Sequence, residues 1–378
     1  MDTTDPDITF DEKGICNHCR SFEKYTKPFW KPGTEKSSNE LKNIIKIIKE
    51  AQKDQEYDAI IGLSGGVDSS YLAYWAAKEA GLRLLAVHVD GGWNSELAVQ
   101  NIEKIVKTLN IDLYTDVIDW EAMRDVQLAF FKAGVANQDT PQDHAFFASL
   151  YNFAIRHNIR YVLNGSNIAT ESILPTSWGH EAMDASQIKA ICRKYAGKKW
   201  KKFPLVSFFK YYLYFPYIKK MEIIRPLNYL NYNKDKAIEI LEKEIGWKYY
   251  GGKHYESRFT KFFQGYWLPE KFGFDKRKAH LSSLILSDQI TRDEALKELQ
   301  KSPFDKKFLQ EDIDYIAKKL EISTEEFLLL MKSSTNHFKN FDNHLLKKKA
   351  LFKVIGVLSL IKHAIKNPKK VLKKLRFK

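Results

Sequence analysis

The chain has 378 residues, of which 44% are hydrophobic and 13% aromatic, so it can bury a large core and form two domains. Three cysteines in this length argue against a disulfide framework and favour a reducing compartment. The N-terminus is acidic, and no run of about 18 uncharged apolar residues occurs, so neither a signal peptide nor a membrane-spanning helix is predicted. A cytoplasmic protein is expected.

The net charge of +14 is concentrated at the C-terminus. Residues 347–378 contain 12 Lys and Arg residues, and no acidic residue follows Asp342. The rest of the chain has 49 basic and 47 acidic residues and is nearly neutral. Residues 344–378 are therefore predicted to be a basic tail. It would be either an amphipathic helix at the inner face of the plasma membrane or a solvated segment without fixed structure.

Residues 1–35 contain the pair Cys16 and Cys19 after a glycine turn. This spacing is half of a zinc-knuckle pattern, whereas a structural zinc ion takes four ligands. His18 lies between the two cysteines, where it is poorly placed to bind the same ion. A redox pair and a chance spacing are the alternatives.

The most informative stretch is residues 57–70. An apolar run predicts a buried strand, two glycines then allow the backbone to approach a ligand closely, and a helix follows. Free N–H groups and the helix dipole converge at such a turn, which makes it an anion site. The hexapeptide Ser64-Gly65-Gly66-Val67-Asp68-Ser69 resembles the pyrophosphate loop of the PP-loop ATP pyrophosphatase superfamily. Those enzymes cleave ATP between the α and β phosphates and adenylate an oxygen of their substrate.

Strand and helix patterns alternate over residues 36–232, which predicts an α/β fold with a doubly wound parallel sheet and right-handed crossovers. Further strands are predicted at residues 84–90, 111–118 and 161–163. Ligands of such sheets bind beyond the carboxyl ends of the strands. The segments expected at that rim are residues 64–70, 90–93, 119 and 165–171.

Residues 185–221 interrupt the alternation with ten Lys and Arg residues, many aromatic side chains and no acidic residue between Lys189 and Lys220. Aromatic packing on the main body and a membrane-surface patch both fit this composition. Residues 233–343 are predicted to form a helical C-terminal domain. Its helices are expected at residues 234–245, 276–286, 292–299, 310–320 and 324–332.

A polar stretch at residues 251–258 separates the first two of these helices. Its glycine pair, Lys, His and Arg suit contact with a phosphate or carboxylate group, although a solvated loop has the same composition.

Together these segments resemble the N-acetyl sugar amidotransferases of bacterial surface-polysaccharide biosynthesis, which include the O-antigen and pseudaminic/legionaminic types. The resemblance runs from about residue 2 to 300, and residues 251–258 are its most family-specific part. It is carried by residues 2–10, 14–19, 64–69, 141–144, 164–171, 225–229, 251–258 and 276–280. Members usually have another Cys-x-x-Cys just before the position of Met1, so the zinc site of Cys16 and Cys19 is expected to be incomplete in this chain.

The resemblance implies a set of site residues for three roles. The expected catalytic residues are Asp68, which would also hold Mg²⁺, together with Lys253, His254 and Arg258. The expected ATP contacts are Ser64, Gly65, Gly66, Asp68, Ser69, Ser70, Asp90, Gly165 and Ser166. The expected sugar contacts are Gln142, Asp143, His144, Asn167, Glu171, Lys253 and Arg258.

The implied reaction converts an acetamido group of a nucleotide-activated or acidic sugar into an acetamidino group. Adenylation of the amide oxygen would give an imidate, which ammonia attacks as AMP departs. Glutamine hydrolysis usually needs a cysteine at the N-terminus or in a Gly-x-Cys-x-Gly turn, and Cys16, Cys19 and Cys192 fit neither. The expected partners are therefore a separate glutaminase and a cyclase-like ammonia-channelling subunit, like those of imidazole-glycerol-phosphate synthase, and no nucleic acid.

Two other functions remain open at the level of sequence. A tRNA-modifying member of the superfamily would account for the raw net charge, but sulfur transfer commonly needs a cysteine pair near the ATP site, and Cys192 stands alone there. A nucleotide-binding regulator would share the loop and lack the chemistry.

Overall fold

The computed structural model describes residues 1–251 and 255–366, with side chains up to residue 356. Five parallel strands in this part of the chain form one sheet in the order β3-β2-β1-β4-β5. The strands are β1 (Ala59–Gly62), β2 (Leu84–Asp90), β3 (Asp112–Val117), β4 (Tyr161–Leu163) and β5 (Glu222–Ile224).

Two helices precede the first strand, others alternate with the strands, and the C-terminal third is helical. They are α1 (Asn17–Ser21), α2 (Glu35–Ala51), α3 (Val67–Tyr74), α4 (Glu96–Leu109), α5 (Trp120–Ala133), α6 (Thr140–Arg156), α7 (Ile168–Glu171), α8 (Ala185–Tyr195), α9 (Lys234–Ile245), α10 (Arg258–Phe262), α11 (Leu268–Phe272), α12 (Lys276–Leu286), α13 (Arg292–Gln300), α14 (Leu309–Lys319), α15 (Thr324–Lys332) and α16 (Leu345–Lys366). Wider π-type turns occur at Phe22–Thr26, Trp75–Glu79, Lys210–Ile218 and Phe263–Trp267.

The predicted doubly wound α/β fold is confirmed. The order of the strands reverses at β1, because β2 and β3 lie on one side of it and β4 and β5 on the other. This is the topological switch point, where open α/β sheets bind their ligands. The loops that follow β1 and β4 both lie at this point.

Side chains alternate in direction along each strand, so each face of the sheet has its own hydrophobic core. Ile60 packs on one face with α5, α6 and α8, whereas its neighbour Ile61 packs on the other with α2, α3 and α4. Successive strand residues point to opposite faces, so apolar strands of this kind need helices on both sides.

Two segments beside the predicted domain boundaries pack on the sheet. Helix α9 is predicted as the first helix of the C-terminal domain, and its buried Leu241 and Ile245 pack with α3 on the second face of the sheet. Within residues 185–221, Ile188, Ile191 and Phe215 belong to the first core, which agrees with the predicted packing of this segment on the main body. That segment ends in β5, which has three residues and therefore too short a pattern to be recognised from sequence.

A third core joins the C-terminal helices to the sheet-bearing part. Trp93, in the loop after β2, packs with Phe131 of α5 and with aromatic residues of α10 and the turn Phe263–Trp267. Helices α14 and α15 complete this core. Among the described helices, none combines the length and the apolar character that a crossing of the bilayer requires.

Replacing Leu241 with Ala tests the assignment of α9 to the sheet. Leu241 is fully buried, so the free energy of unfolding in urea is expected to fall by about 2–5 kcal/mol. Leu329→Ala is the control, because that side chain is 67% exposed and its loss is expected to cost less than about 0.5 kcal/mol. Equal stabilities of the two variants would contradict the assignment.

Candidate nucleotide-binding site

The pyrophosphate loop (residues 64–70) joins β1 to the first turn of α3. Gly65 has a φ of +80°, and a Cβ atom there would lie 2.5 Å from the carbonyl oxygen of Ala98. Gly66 precedes α3, and a Cβ atom there would lie 3.1 Å from Oε1 of Glu256. Gly65 therefore requires glycine, both for its backbone conformation and for lack of space, whereas a side chain at Gly66 would have to displace the Glu256 and Ser64 side chains.

The serine hydroxyls fix the shape of the loop. The Ser64 and Ser69 Oγ atoms are 3.1 Å apart, and Ser69 donates a hydrogen bond to the Gly66 carbonyl at 3.2 Å. The Gly66 N–H donates to Ser64 Oγ at 3.3 Å. Ser70 is fully buried, and its Oγ has no hydrogen-bond partner among the described residues. This buried hydroxyl in the first turn of α3 is suited to a ligand oxygen.

Asp68 lies in the first turn of α3, and its Oδ1 accepts a hydrogen bond from the hydroxyl of Tyr232. Tyr232 is buried, and burial together with the neighbouring carboxylate raises its pKa well above the ordinary value. The phenol therefore stays protonated and acts as a fixed donor. A carboxylate next to a phosphate site fits Mg²⁺, which usually combines one or two carboxylates with substrate phosphates and water.

Two aromatic residues that sequence reasoning missed hold the loop from the other side. The indole N–H of Trp247 donates to the Gly65 carbonyl at 3.1 Å, and the N–H of Val67 donates to the hydroxyl of Tyr250 at 3.0 Å. Burial is the largest of the causes that raise the pKa of Tyr250, so this hydroxyl also stays neutral. Trp247 and Tyr250 lie just before the Gly251-Gly252 pair in the sequence. This position is only a weak signal of a functional role, because it does not indicate which loop the two side chains contact.

At the end of β2, Asp90 accepts hydrogen bonds from the Gly92 N–H at 2.8 Å and from the Asn94 amide at 3.0 Å. The same amide donates to Nε2 of His88 at 3.1 Å, so the ring proton is on Nδ1, which lies 3.0 Å from the Leu63 carbonyl. His88 therefore connects the ends of β1 and β2. Neither His88 nor Asn94 was predicted from sequence.

The loop after β4 lies directly against the first turn of α3. A Cβ atom on Gly165 would be 3.3 Å from the carbonyl carbon of Asp68, which brings together two of the predicted ATP-binding positions. Ser166 is exposed beside them. Asn167 is buried and caps α7 by accepting from the Thr170 N–H at 3.0 Å, so its carboxamide oxygen holds the backbone.

The predicted sugar contacts on α6 have different environments. Gln142 is buried; its Oε1 lies 3.4 Å from the Ser257 hydroxyl, while its Nε2 has no partner among the described residues. Burial and the nearby Asp139 carboxylate raise the pKa of Asp143 to about 8, with Lys276 opposing and Glu171 adding to the shift. The raised pKa favours the protonated form of Asp143, which can donate a hydrogen bond.

His144 differs from its predicted role. The ring is buried, its Nε2 accepts from the Val206 N–H at 3.0 Å, and its Nδ1 donates to the Ala182 carbonyl at 2.8 Å. Burial lowers the pKa of His144 to about 4, so the ring is neutral. Both nitrogens bind the backbone, and we assign this residue a structural role in place of sugar binding.

The polar stretch that includes residues 255–258 pairs with the loop after β2. Asn94 and Ser257 form an antiparallel bridge, the Ser95 N–H donates to the Glu256 carbonyl at 2.9 Å, and the Arg258 N–H donates to the Trp93 carbonyl at 3.0 Å. This pairing brings Glu256 to Gly66. Two other predicted residues of the stretch, Lys253 and His254, lie outside the described residues.

Arg258 also differs from its predicted catalytic role. Its guanidinium binds Asp312 at 2.8 Å and Glu311 at 2.9 Å, and lies 4.0 Å above the ring of Tyr315. A second cation, Lys319, donates to the Gly92 carbonyl. The ammonium of Lys319 also lies 5.2 Å from Trp93 and 4.8 Å from Trp120. These contacts attach α14 to the loop after β2, so Arg258 positions the stretch.

The three cysteines lack the surroundings of reactive thiols or of a complete zinc site. The Cys16 and Cys19 sulfurs are 3.5 Å apart, while His18 binds Asp5 at 2.6 Å. Among the side chains that the structure describes, residues 1–251 and 255–356, no group of three or more His, Cys, Asp or Glu is arranged to hold a metal ion. Burial raises the pKa of Cys19 to about 11 and that of Cys192 to about 12.

Comparison with known families divides the chain into two matched regions. Residues 39–203 match the NAD synthase family, and residues 256–354 match the family described as LPS biosynthesis protein WbpG-like, C-terminal domain. The first region contains the pyrophosphate loop, and the second begins at the glutamate that contacts it.

Curated relatives match over a limited length. A subunit of the glutamine-hydrolyzing GMP synthase of Archaeoglobus fulgidus is 32% identical over 131 residues, which cover 33% of this chain and 39% of that protein. An uncharacterized protein of Methanocaldococcus jannaschii is 28% identical over 118 residues, which cover 30% of this chain and 40% of that protein. The chain therefore spans about two fifths of the length of these relatives.

Solved structures with a related arrangement include NMN synthetase from Francisella tularensis, with 17% identity, a TM-score of 0.35, and coverage of 68% of this chain and 93% of that one. The NH3-dependent NAD synthetase from Campylobacter jejuni has 15% identity, a TM-score of 0.33, and coverage of 79% and 98%. These superpositions are loose.

Gly65→Ala is expected to abolish ATP binding measured by calorimetry and to destabilise the fold in urea. The added methyl group meets a backbone oxygen, which cannot move without displacing α4. Gly14→Ala is the matched control, because Gly14 has a φ of +73° and open space around it. The control adds only the strain of a positive φ, about 1 kcal/mol, and should retain ATP binding. ATP affinity within twofold of the unmodified protein in Gly65→Ala would contradict the site.

Proposed function

Because the chain belongs to the PP-loop ATP pyrophosphatase superfamily and carries a WbpG-like C-terminal domain, we propose that it is an ATP-dependent, AMP-forming amidotransferase. Its substrate would be a nucleotide-activated or acidic sugar of bacterial surface-polysaccharide biosynthesis. An acetamido group of that sugar would become an acetamidino group. The observation that carries the proposal is the contact of the WbpG-like region with the pyrophosphate loop, through Glu256 beside Gly66.

The proposed reaction has two steps. The amide oxygen attacks the α phosphorus of ATP and pyrophosphate leaves, which gives an O-adenylated imidate. The nitrogen of ammonia then attacks the imidate carbon, and the carbon–oxygen bond to AMP breaks. Both steps develop charge on phosphate oxygens, so N–H donors and a cation are the groups that such a site needs.

The residues of the loop would supply this environment. The N-terminus of α3 would offer N–H groups to the pyrophosphate, and the buried Ser70 hydroxyl would add a donor. Asp68 would hold Mg²⁺, oriented by Tyr232, and the ion would neutralise the departing pyrophosphate. Gln142 and the protonated Asp143 would provide hydrogen bonds to the sugar.

Ammonia would come from a separate glutaminase subunit, delivered through a cyclase-like channelling subunit. The raised pKa values of the Cys19 and Cys192 thiols disfavour the thiolate that glutamine hydrolysis requires. The same property disfavours sulfur transfer by Cys192, which is buried in the first core.

The purified protein, given ATP, Mg²⁺, ammonium and a panel of diacetamido sugars, is expected to release AMP and pyrophosphate only with a suitable sugar. Mass spectrometry should show a product lighter by about one mass unit, because NH replaces O. Glutamine in place of ammonium should give no product. Turnover with glutamine alone would contradict the proposed partner, and AMP release without any sugar product would contradict the reaction.

Asp68→Asn keeps the size of the side chain and removes its charge, so AMP formation is expected to fall by about 10²-fold or more, as is typical when a group that neutralises transition-state charge is removed. Asp119→Asn is the control, because Asp119 also lies at the rim but caps α5 and pairs with Lys202. Equal activity of the two variants would overturn the role given to Asp68.

Tyr250→Phe tests whether phosphate takes the Val67 N–H that the Tyr250 hydroxyl occupies. The variant leaves this N–H unpaired before ATP binds, at a cost of about 1 kcal/mol, so ATP should bind roughly fivefold more tightly. Tyr249→Phe is the neighbouring control, since its hydroxyl lies 3.5 Å from Lys234 instead. Weaker ATP binding by Tyr250→Phe would mean that the hydroxyl assists the ligand.

A further inference from the structure

Two basic segments that are far apart in sequence lie side by side in the fold. The π-type turn Lys210–Ile218 contacts the start of α16, where the rings of Tyr212 and Phe352 are 5.9 Å apart. The ammonium of Lys348 lies 5.6 Å from the Tyr212 ring. Residues 209–220 and 345–356 therefore form one surface, which we call the basic–aromatic surface.

The carboxylates of Glu181 and Asp184 hold these two segments together. Glu181 accepts hydrogen bonds from the Tyr212 hydroxyl at 2.8 Å and also from His344 and Lys348. Asp184 accepts from the His344 N–H at 2.8 Å. Although burial opposes its ionisation, these hydrogen bonds lower the pKa of Glu181 to about 2. The root of α16 is thus held against the π-type turn by a charged network.

Large apolar side chains on this surface are directed to solvent. On the first segment Phe209, Tyr217 and Ile218 are 54%, 59% and 60% exposed. On α16 the exposed residues are Leu346 at 80%, Phe352 at 51% and Val354 at 55%. A group of exposed apolar residues of this kind indicates an interaction site.

Within the two segments themselves every charged side chain is basic. No acidic residue occurs between Asp184 and Glu222 or after Asp342. Exposed lysines accompany the apolar side chains on both segments, namely Lys210, Lys219, Lys220, Lys347, Lys349 and Lys353. The complementary partner is therefore negatively charged and also accepts apolar groups.

We propose that the basic–aromatic surface binds the interface of an anionic lipid bilayer. Lysines near such a surface contribute about 1 kcal/mol each, and aromatic and aliphatic side chains enter the boundary between head groups and acyl chains. A nucleic acid would satisfy the lysines and stack on the aromatic rings. It offers no comparable environment to Leu346, Ile218 and Val354, so the bilayer is the better match.

The test is co-sedimentation of the full-length protein with phosphatidylcholine vesicles that contain or lack phosphatidylglycerol. Binding is expected to need the anionic lipid and to weaken with salt. Lys219→Gln with Lys220→Gln should lower it about tenfold or more. Tyr217→Ser with Ile218→Ser should lower it at least about fivefold at every salt concentration, because apolar burial is not screened.

The controls use equally exposed residues elsewhere. Lys36→Gln with Lys243→Gln matches the change in charge, and Leu329→Ser removes an exposed apolar side chain away from the surface. Neither should alter sedimentation, and all variants should keep the urea midpoint of the parent. The proposal is overturned if the Tyr217 and Ile218 variant binds vesicles like the parent. It is also overturned if an RNA oligonucleotide binds the same surface in preference to the vesicles.

Discussion

The site depends on a lack of space around two glycines. The backbone at Gly65 is closed in by the Ala98 carbonyl, and the Glu256 carboxylate lies beside Gly66, so at these two positions the loop can present N–H groups to a ligand. The groups that surround the loop come from other parts of the fold. They are the amino end of α4, the indole of Trp247, the phenols of Tyr232 and Tyr250, and the loop after β4. Apart from the Tyr250 hydroxyl, which occupies the Val67 N–H until the nucleotide binds, this shell keeps the loop in one shape and so lowers the cost of binding.

Much of this arrangement was predictable, because it follows from local rules. The strand–glycine–helix pattern of residues 59–70 determines the turn, and parallel topology brings the ends of β1, β2 and β4 to one edge. Prediction was less successful where a residue type has two uses. His144 and Arg258 have the chemistry of ligand contacts, but one satisfies two backbone groups and the other pairs with two carboxylates of α14. Which use applies depends on neighbours that are distant in sequence.

The same limit explains the residues that were missed. Tyr232, Trp247 and Tyr250 look like ordinary apolar positions near helix α9, and their polar atoms matter only because α9 packs on α3. Short elements are a second source of error. Strand β5 has three residues, and no periodicity can be read from so short a segment.

The three aromatic contacts join the loop to residues about 160–180 positions later in the chain, with separations of 164, 182 and 183. Contacts between residues so far apart in sequence form late in folding, because the intervening chain must first be ordered. During synthesis the ribosome would release the glycine turn long before the residues that fix its shape. A fragment that stopped at residue 232 would contain the whole sheet and the entire motif, yet it would lack Trp247, Tyr250 and the helix that covers the second core. The smallest unit able to hold a nucleotide is therefore larger than the segment in which the motif is recognised.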